Sequence, residues 1–252
     1  ETTETTRPVT EKQATLTEEA QQMLALAEDS DTETERFKYR ALAAHLYIKA
    51  DELALAQQQL VLLQEKIDTH PSVDMATAQT ETTEVQIISA EIAIHKKNAL
   101  LAKQIIDEIK PVTRDQQISF YSLKADLDFL SARFMYVVDR RAQLDAYITD
   151  EKGKDENNRK IWAALSNLAG NQLNEQRSDN PIINGWLDLT RVVRAGQQNI
   201  SSLEDDLLDW GTRHPAHPVN DSFLQELISI YQIDLSGKRR IAVLLPMSGK
   251  LS

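Results

Sequence analysis

Cysteine is absent from the 252 residues, which excludes both a disulfide framework and a thiolate zinc site. Glycine and proline number 7 each, about half their usual frequency, so the chain has few places to break a regular element. Aromatic residues make up only 6%. No apolar run approaches the roughly 20 residues needed to cross a bilayer, and the N-terminus lacks a signal-peptide pattern. Basic residues are the minority, 28 against 39 acidic, for a net charge of −11. That argues against a sequence-independent nucleic-acid surface, which needs a basic stripe. The polar, low-complexity start around Glu1 to Pro8 reads as a solvated tether, assigned here to residues 1–13.

What is present is Ala, Leu, Gln and Glu at helical spacing. Between Thr34 and Asp68 two apolar stripes recur at intervals of three and four. Phe37, Ala41, Ala44, Tyr47 and Ile48 mark one helix; Leu53, Ala56, Leu60, Leu63 and Ile67 mark the next. Asp51 stands at the joint, where it can cap the second helix, and His70-Pro71 ends the pair because a residue before proline disfavours helical geometry. Ala44 with Tyr47, followed by Ala56, resembles the tetratricopeptide repeat, in which small residues let paired helices approach and an aromatic fills the adjoining gap. The offsets return with Ala90, Ala93 and Ala102, and a weaker copy starts at Ala125. These anchors lie 46 and 35 residues apart. The second interval suits a period of about 34, and the first needs an insertion, placed at Ser72 to Thr83.

Beyond Glu151 the regularity decays. Residues Glu151 to Asn158 read as a charged loop between two helical blocks. Stripes around Trp162, Trp186 and Trp210 follow, then His214-Pro215-Ala216-His217-Pro218 and a last helix through Phe223 and Leu227. The fold class is therefore all-α: helical hairpins stacked into an elongated solenoid over residues 14–236. Thr113 with Gln116 and Ser201 with Glu204 have capping-box spacing.

Catalytic and cofactor motifs are missing. Ser248-Gly249-Lys250 lacks the upstream glycine of a phosphate loop, and neither a His-Glu-x-x-His helix nor a Gly-x-Ser-x-Gly elbow occurs. His214 and His217 each precede a proline, which favours an extended turn over a metal-ligating helix face. His45 and His95 sit inside helices, where satisfied or solvent-facing roles are commonest. Trp162, Trp186 and Trp210 lie at helical spacing with leucines, so they are assigned to the core ahead of a ligand-stacking wall. Arg133, Arg140 and Arg141 are the candidates for contact with an acidic partner or a glycan, a solvated helix face being the commoner role of such a cluster. No enzyme, no cofactor and no metal are expected.

The last residues break the pattern. Residues 237–252 contain a basic stretch, then Ile241 to Leu245, then Pro246 and Gly249, the signature of a strand buried on both faces of a parallel sheet. Such a strand requires neighbours, so the sequence reads as ending just inside a second, α/β domain.

Three stretches in fixed order now combine: Gly185-Trp-Leu-Asp-Leu189, Trp210-Gly-Thr-Arg-His-Pro-Ala-His-Pro218, and Arg240-Ile-Ala-Val-Leu-Leu-Pro-Met-Ser-Gly249. Preceded by tetratricopeptide-like hairpins, they resemble the N-terminal domain of the LpoA family, outer-membrane lipoprotein activators of class A penicillin-binding proteins. The resemblance implies that Leu244 to Gly249 begin a domain like the type I periplasmic binding proteins, truncated here. It also implies a monomeric, non-catalytic spacer and interaction domain at the periplasmic face of a Gram-negative outer membrane. Membrane attachment would come only through a lipid anchor not contained in this sequence. The synthase would be the partner, mainly through the missing domain, with peptidoglycan as a second candidate. The competing readings are a generic peptide-binding repeat scaffold and the helical superstructure of a cell-wall lytic enzyme.

Overall fold

The computed structural model describes residues 10–196 and 200–232, which fall into two units divided between Thr149 and Asp150. The first unit contains α1 (Glu11–Glu28), α2 (Glu33–Lys49), α3 (Leu53–Thr69), α4 (Met75–His95), α5 (Ala99–Glu108), α6 (Arg114–Leu130) and α7 (Phe134–Asp145). The second contains α8 (Glu151–Ser166), α9 (Gly170–Glu175), α10 (Pro181–Gly196), α11 (Ile200–Arg213) and α12 (Asp221–Gln232). No strand occurs among the described residues, and no helix among them is long and apolar enough to cross a membrane. The strand expected within 237–252 lies outside the described residues.

Side-chain caps start most helices of the first unit. Thr10, Thr32, Asp74, Asn98 and Thr113 each accept a hydrogen bond from the backbone N–H three residues on, satisfying donors that the helix itself cannot pair. Thr10 and Gln13 form a reciprocal capping box, so residues 11–13, assigned to the tether by sequence, are helical.

The packing is that of three successive hairpins. α2 pairs with α3, α4 with α5, and α6 with α7; α4 also packs on α2 and α3, and α6 on α4 and α5. α1 lies along α2. Ala44, Ala90 and Ala125 occupy equivalent places in α2, α4 and α6, and each is fully buried. Ala56 and Ala102 are fully buried in the second helices, and Tyr47 and Ala93 are nearly so. A methyl side chain at a helix crossing lets the backbones approach to the short end of the usual 8–10 Å range, and a larger one would force them apart.

The hairpins close through one repeated turn. Asp51, Lys97 and Ala132 all take left-handed backbone angles, with φ of 63°, 57° and 55°. In each case the N–H of the following residue reaches back five residues: Glu52 to the Tyr47 carbonyl, Asn98 to Ala93, and Arg133 to Asp128, at 2.8, 2.9 and 2.8 Å. These are Schellman closures, normally built on glycine. Asp51 therefore shapes the joint by its backbone and does not cap α3, whose N-terminus has no side-chain cap.

The long interval between the first two anchors has a distributed cause. The linkers after α3 and after α5 are equally long, at residues 70–74 and 109–113. α3 has 17 residues against 10 in α5, and α4 begins fifteen residues before Ala90 where α6 begins eleven before Ala125. The insertion expected at Ser72 to Thr83 is thus two helix extensions, and most of that segment is the start of α4.

In the second unit the expected charged loop over Glu151 to Asn158 is the first half of α8, capped by Asp150, which accepts from the Gly153 N–H at 2.7 Å. Its polarity misleads because Asn157 and Asn158 belong to the buried face, beside Ile161, Ala164 and Leu165. α10 is the central helix, packing against α8, α9 and α11. Pro181 opens it in the first-turn position that tolerates a missing N–H, and Asn180 Oδ1 accepts from the Ile182 N–H at 2.9 Å. Ser201 falls inside α11, not at a cap.

Candidate functional site

The first helices of the three hairpins share one face of the first unit, and between them runs an open groove of about 670 Å³. That is within the ~300–1,000 Å³ typical of ligand sites. α2 is already covered on three sides, by α1, α3 and α4. Its remaining stripe, Lys38, Leu42, His45 and Lys49, steps by four, three and four residues and faces the groove. Thr80, Glu81 and Glu84 come from α4, and Asp115, Gln116 and Ser119 from α6.

A polar ladder ties these helices together. His45 sits between two carboxylates of α4, with Nδ1 2.7 Å from Glu91 Oε2 and Nε2 2.8 Å from Glu84 Oε1. Burial alone would drive the imidazole toward neutrality, but Glu91 and Glu84 outweigh it and hold its pKa up to about 10. His45 is therefore an imidazolium at neutral pH, donating from both nitrogens. Burial pushes the Glu84 carboxyl upward, yet the bond from His45 wins and leaves it below its ordinary value. Gln116 Nε2 continues the ladder, donating to the Thr80 carbonyl at 2.8 Å and to Glu84 Oε2 at 3.3 Å. Glu81, only 4% exposed, accepts from Lys66 Nζ on both oxygens at 2.6 Å and from the Ser72 hydroxyl at 2.8 Å. Lys38, Lys49 and Asp115 are left over, with no ion pair or hydrogen bond among the described residues.

The arginines singled out by sequence have partners within their own hairpin. Arg133 and Arg140 both pair with Asp128, which is 1% exposed, and Arg141 pairs with Asp126 at 2.5 Å while being itself buried. A buried carboxylate demands such compensation. Arg133 and Arg140 thus neutralise a buried acid, whereas Arg141 is itself the buried member of its pair with the partly exposed Asp126, and only Arg133 is half exposed.

In the second unit the sequence motifs meet around α10. Gly185 lies where α11 and the following turn approach most closely. A Cβ there would overlap the His217 ring and sit 2.9 Å from its Nε2. Trp210 Nε1 donates to the Gly185 carbonyl at 2.9 Å, and His217 Nε2 donates to the Ile182 carbonyl at 2.9 Å. The Val219 N–H donates to His217 Nδ1, which fixes the neutral tautomer. Burial pushes the His217 pKa down to about 4, the neighbouring His214 adding to that and the bond to Ile182 opposing it. Asp188 collects His214, Arg191 and Arg213. The Trp186 and Trp210 rings both stack edge-on against His217. These two tryptophans are fully buried; Trp162 is only half-buried, edge-on to Phe223. His214 and His217 therefore brace a packed core. His95 is exposed in the last turn of α4.

Sequence reading missed two braces. Arg194 donates to the Leu165 and Leu168 carbonyls at the end of α8, and Arg191 to the Leu173 and Gln176 carbonyls at the end of α9. Guanidinium groups there satisfy terminal carbonyls and oppose the helix dipole.

The hairpins, small-residue crossings and Schellman joints define a tetratricopeptide-like helical protein. Residues 12–252 match the family model described as "LppC putative lipoprotein", and the chain belongs to that family. It is 28% identical over 217 residues to the penicillin-binding protein activator LpoA of Mannheimia succiniciproducens, covering 85% of this chain and 36% of the relative. It is 26% identical over 253 residues to the LpoA of Pantoea ananatis, covering 96% and 34%. The chain thus spans about a third of the length of these relatives. Its fold matches the LpoA N-terminal domain from Haemophilus influenzae with a TM-score of 0.73 at 18% identity, over 86% of this chain and 97% of that one. The E. coli LpoA amino-terminal domain matches with a TM-score of 0.61 at 19% identity, over 84% and 93%.

Proposed function

We propose that this chain is the non-catalytic N-terminal segment of an outer-membrane lipoprotein that activates a class A penicillin-binding protein in a Gram-negative periplasm. The observation that carries this reading is the family match over residues 12–252, joined to relatives named as penicillin-binding protein activators. The segment acts as a monomeric positioning arm: hairpins held by buried crossings and left-handed joints transmit position with little loss. The main contact with the synthase lies on a following domain, and peptidoglycan is a second candidate partner. Arg133 is the member of the arginine cluster with a surface to offer.

Calorimetric titration of a purified class A penicillin-binding protein tests this, using this chain and the full-length lipoprotein in parallel. Binding by the full-length protein, with weaker or no binding by this chain, is expected. If neither binds, the reading fails; turnover of purified peptidoglycan by this chain would remove the non-catalytic assignment.

A further inference from the structure

The charges in the first unit's groove are separated in a way that selects an occupant. Two of the carboxylates facing it, Glu81 and Glu84, are bound at hydrogen-bond distance by Lys66 and His45, and Glu91 holds the other side of His45. The charged side chains left without a partner among the described residues are Lys38 and Lys49 on the α2 wall and Asp115 on the α6 wall. The side chains without an ionic partner are therefore polarised across the groove, cationic along α2 and anionic along α6, with one further negative charge left on the α4 floor where Glu84 and Glu91 share His45. Between the two lysines, Leu42 is 40% exposed and supplies the apolar contact of the same wall.

We infer that this groove docks an extended protein segment with acidic side chains at its first and fifth positions and an apolar side chain at its third. Lys38 and Lys49 are eleven residues apart on one helix, a rise of about 16 Å. An extended chain advances about 3.3 Å per residue and turns alternate side chains to the same side. Positions one, three and five thus meet Lys38, Leu42 and Lys49 within the reach of the lysine side chains. Asp115 repels the acidic edge from the α6 wall and so sets which way the segment faces. An extended segment also brings unpaired backbone N–H and C=O groups, and the hydroxyls of Thr34 and Ser119 stand in the lining to meet them.

The test is amide chemical-shift mapping on the isotope-labelled chain titrated with the acetylated, amidated peptide Glu-Ser-Leu-Ser-Glu. Saturable shifts along α2 and the facing turns of α4 and α6 are expected. The exposed pair Lys38→Glu and Lys49→Glu should leave the melting curve unchanged and weaken this peptide about tenfold or more. The same double variant should gain binding of Lys-Ser-Leu-Ser-Lys, which the unaltered chain should not bind. Shifts elsewhere, no saturable shifts, or an affinity indifferent to the double reversal would each overturn the inference. No synthase enters this experiment, so its failure leaves the proposed function standing, and failure of the synthase titration leaves the groove standing.

Discussion

The two units each pack a part-buried histidine against neighbouring helices and settle its charge in opposite ways. In the first, His45 bridges α2 and α4 as a cation because two carboxylates receive its protons. In the second, His217 is neutral because its neighbours are a carbonyl, a backbone N–H, two indole rings and another histidine. One side chain thus serves as an ionic rung in a regular repeat and as a packing element in an irregular core. Whether its surroundings accept protons decides which.

The contrast can be broken most strongly at α10. Trp186→Ala removes a fully buried ring and should cost about 3–5 kcal/mol, confined to the second unit. Gly185→Ala should cost about 1–3 kcal/mol by forcing the His217 ring away. All three tryptophans lie in the second unit, so their fluorescence follows its unfolding alone while far-UV circular dichroism follows both units. Loss of the fluorescence transition at lower urea, with the remaining dichroism transition unmoved, is the expected result; a common shift of both would show that the units unfold as one.

Acid and alkali should separate the units next. The His217 pKa is lower folded than unfolded, so the unfolded state binds more protons between about pH 6.5 and 4, and stability falls as pH drops through that window. The His45 pKa is raised, so its contribution is complete below about pH 6.5 and is lost as pH rises toward 10. Urea midpoints read by fluorescence should therefore fall on the acid side, and those of the first unit on the alkaline side. His217→Gln should flatten the first limb and His45→Gln the second. Limbs that persist in these variants would assign the titrations to other groups.

The smallest expected effect sharpens the comparison at a hairpin joint. Ala132 bears the steric cost of a left-handed φ, and Ala132→Gly should raise the stability of the first unit by about 0.5–1 kcal/mol after the added freedom of the unfolded chain is counted. Thermal melts followed by circular dichroism would show it; a lower melting temperature would mean that the Ala132 methyl contributes packing that outweighs the strain.

The first unit was the more legible in sequence. Small residues at Ala44, Ala90 and Ala125 mark helix crossings because only a short side chain fits there, and that size constraint shows in the letters themselves. Its joints were not legible: glycine is the usual mark of a left-handed turn, and these turns are built on Asp, Lys and Ala. α8 was misread as a loop because two asparagines occupy its buried face. In the second unit, Gly185, Trp210 and His217 stood out as motifs, but their meeting depends on how α10 and α11 pack. The groove was invisible for a related reason. The stripe Lys38, Leu42, His45 and Lys49 was open to view, yet nothing local says which face of α2 its neighbours leave bare.

The helix extensions bear on how such a chain tolerates changes of length. α3 is longer than α5 by about two turns and α4 longer before its anchor than α6 by about one, at about 3.6 residues per turn. Because α3 and α4 run antiparallel, both increments extend the same end of the pair. Length added in near-whole turns returns each helix to almost the same angular position, so the Ala44, Ala90 and Ala125 crossings keep their alignment. An insertion of one or two residues inside a helix would rotate a face out of register. Homologous chains should accordingly differ here by steps near four, seven or eleven residues, with the intervening linker held constant.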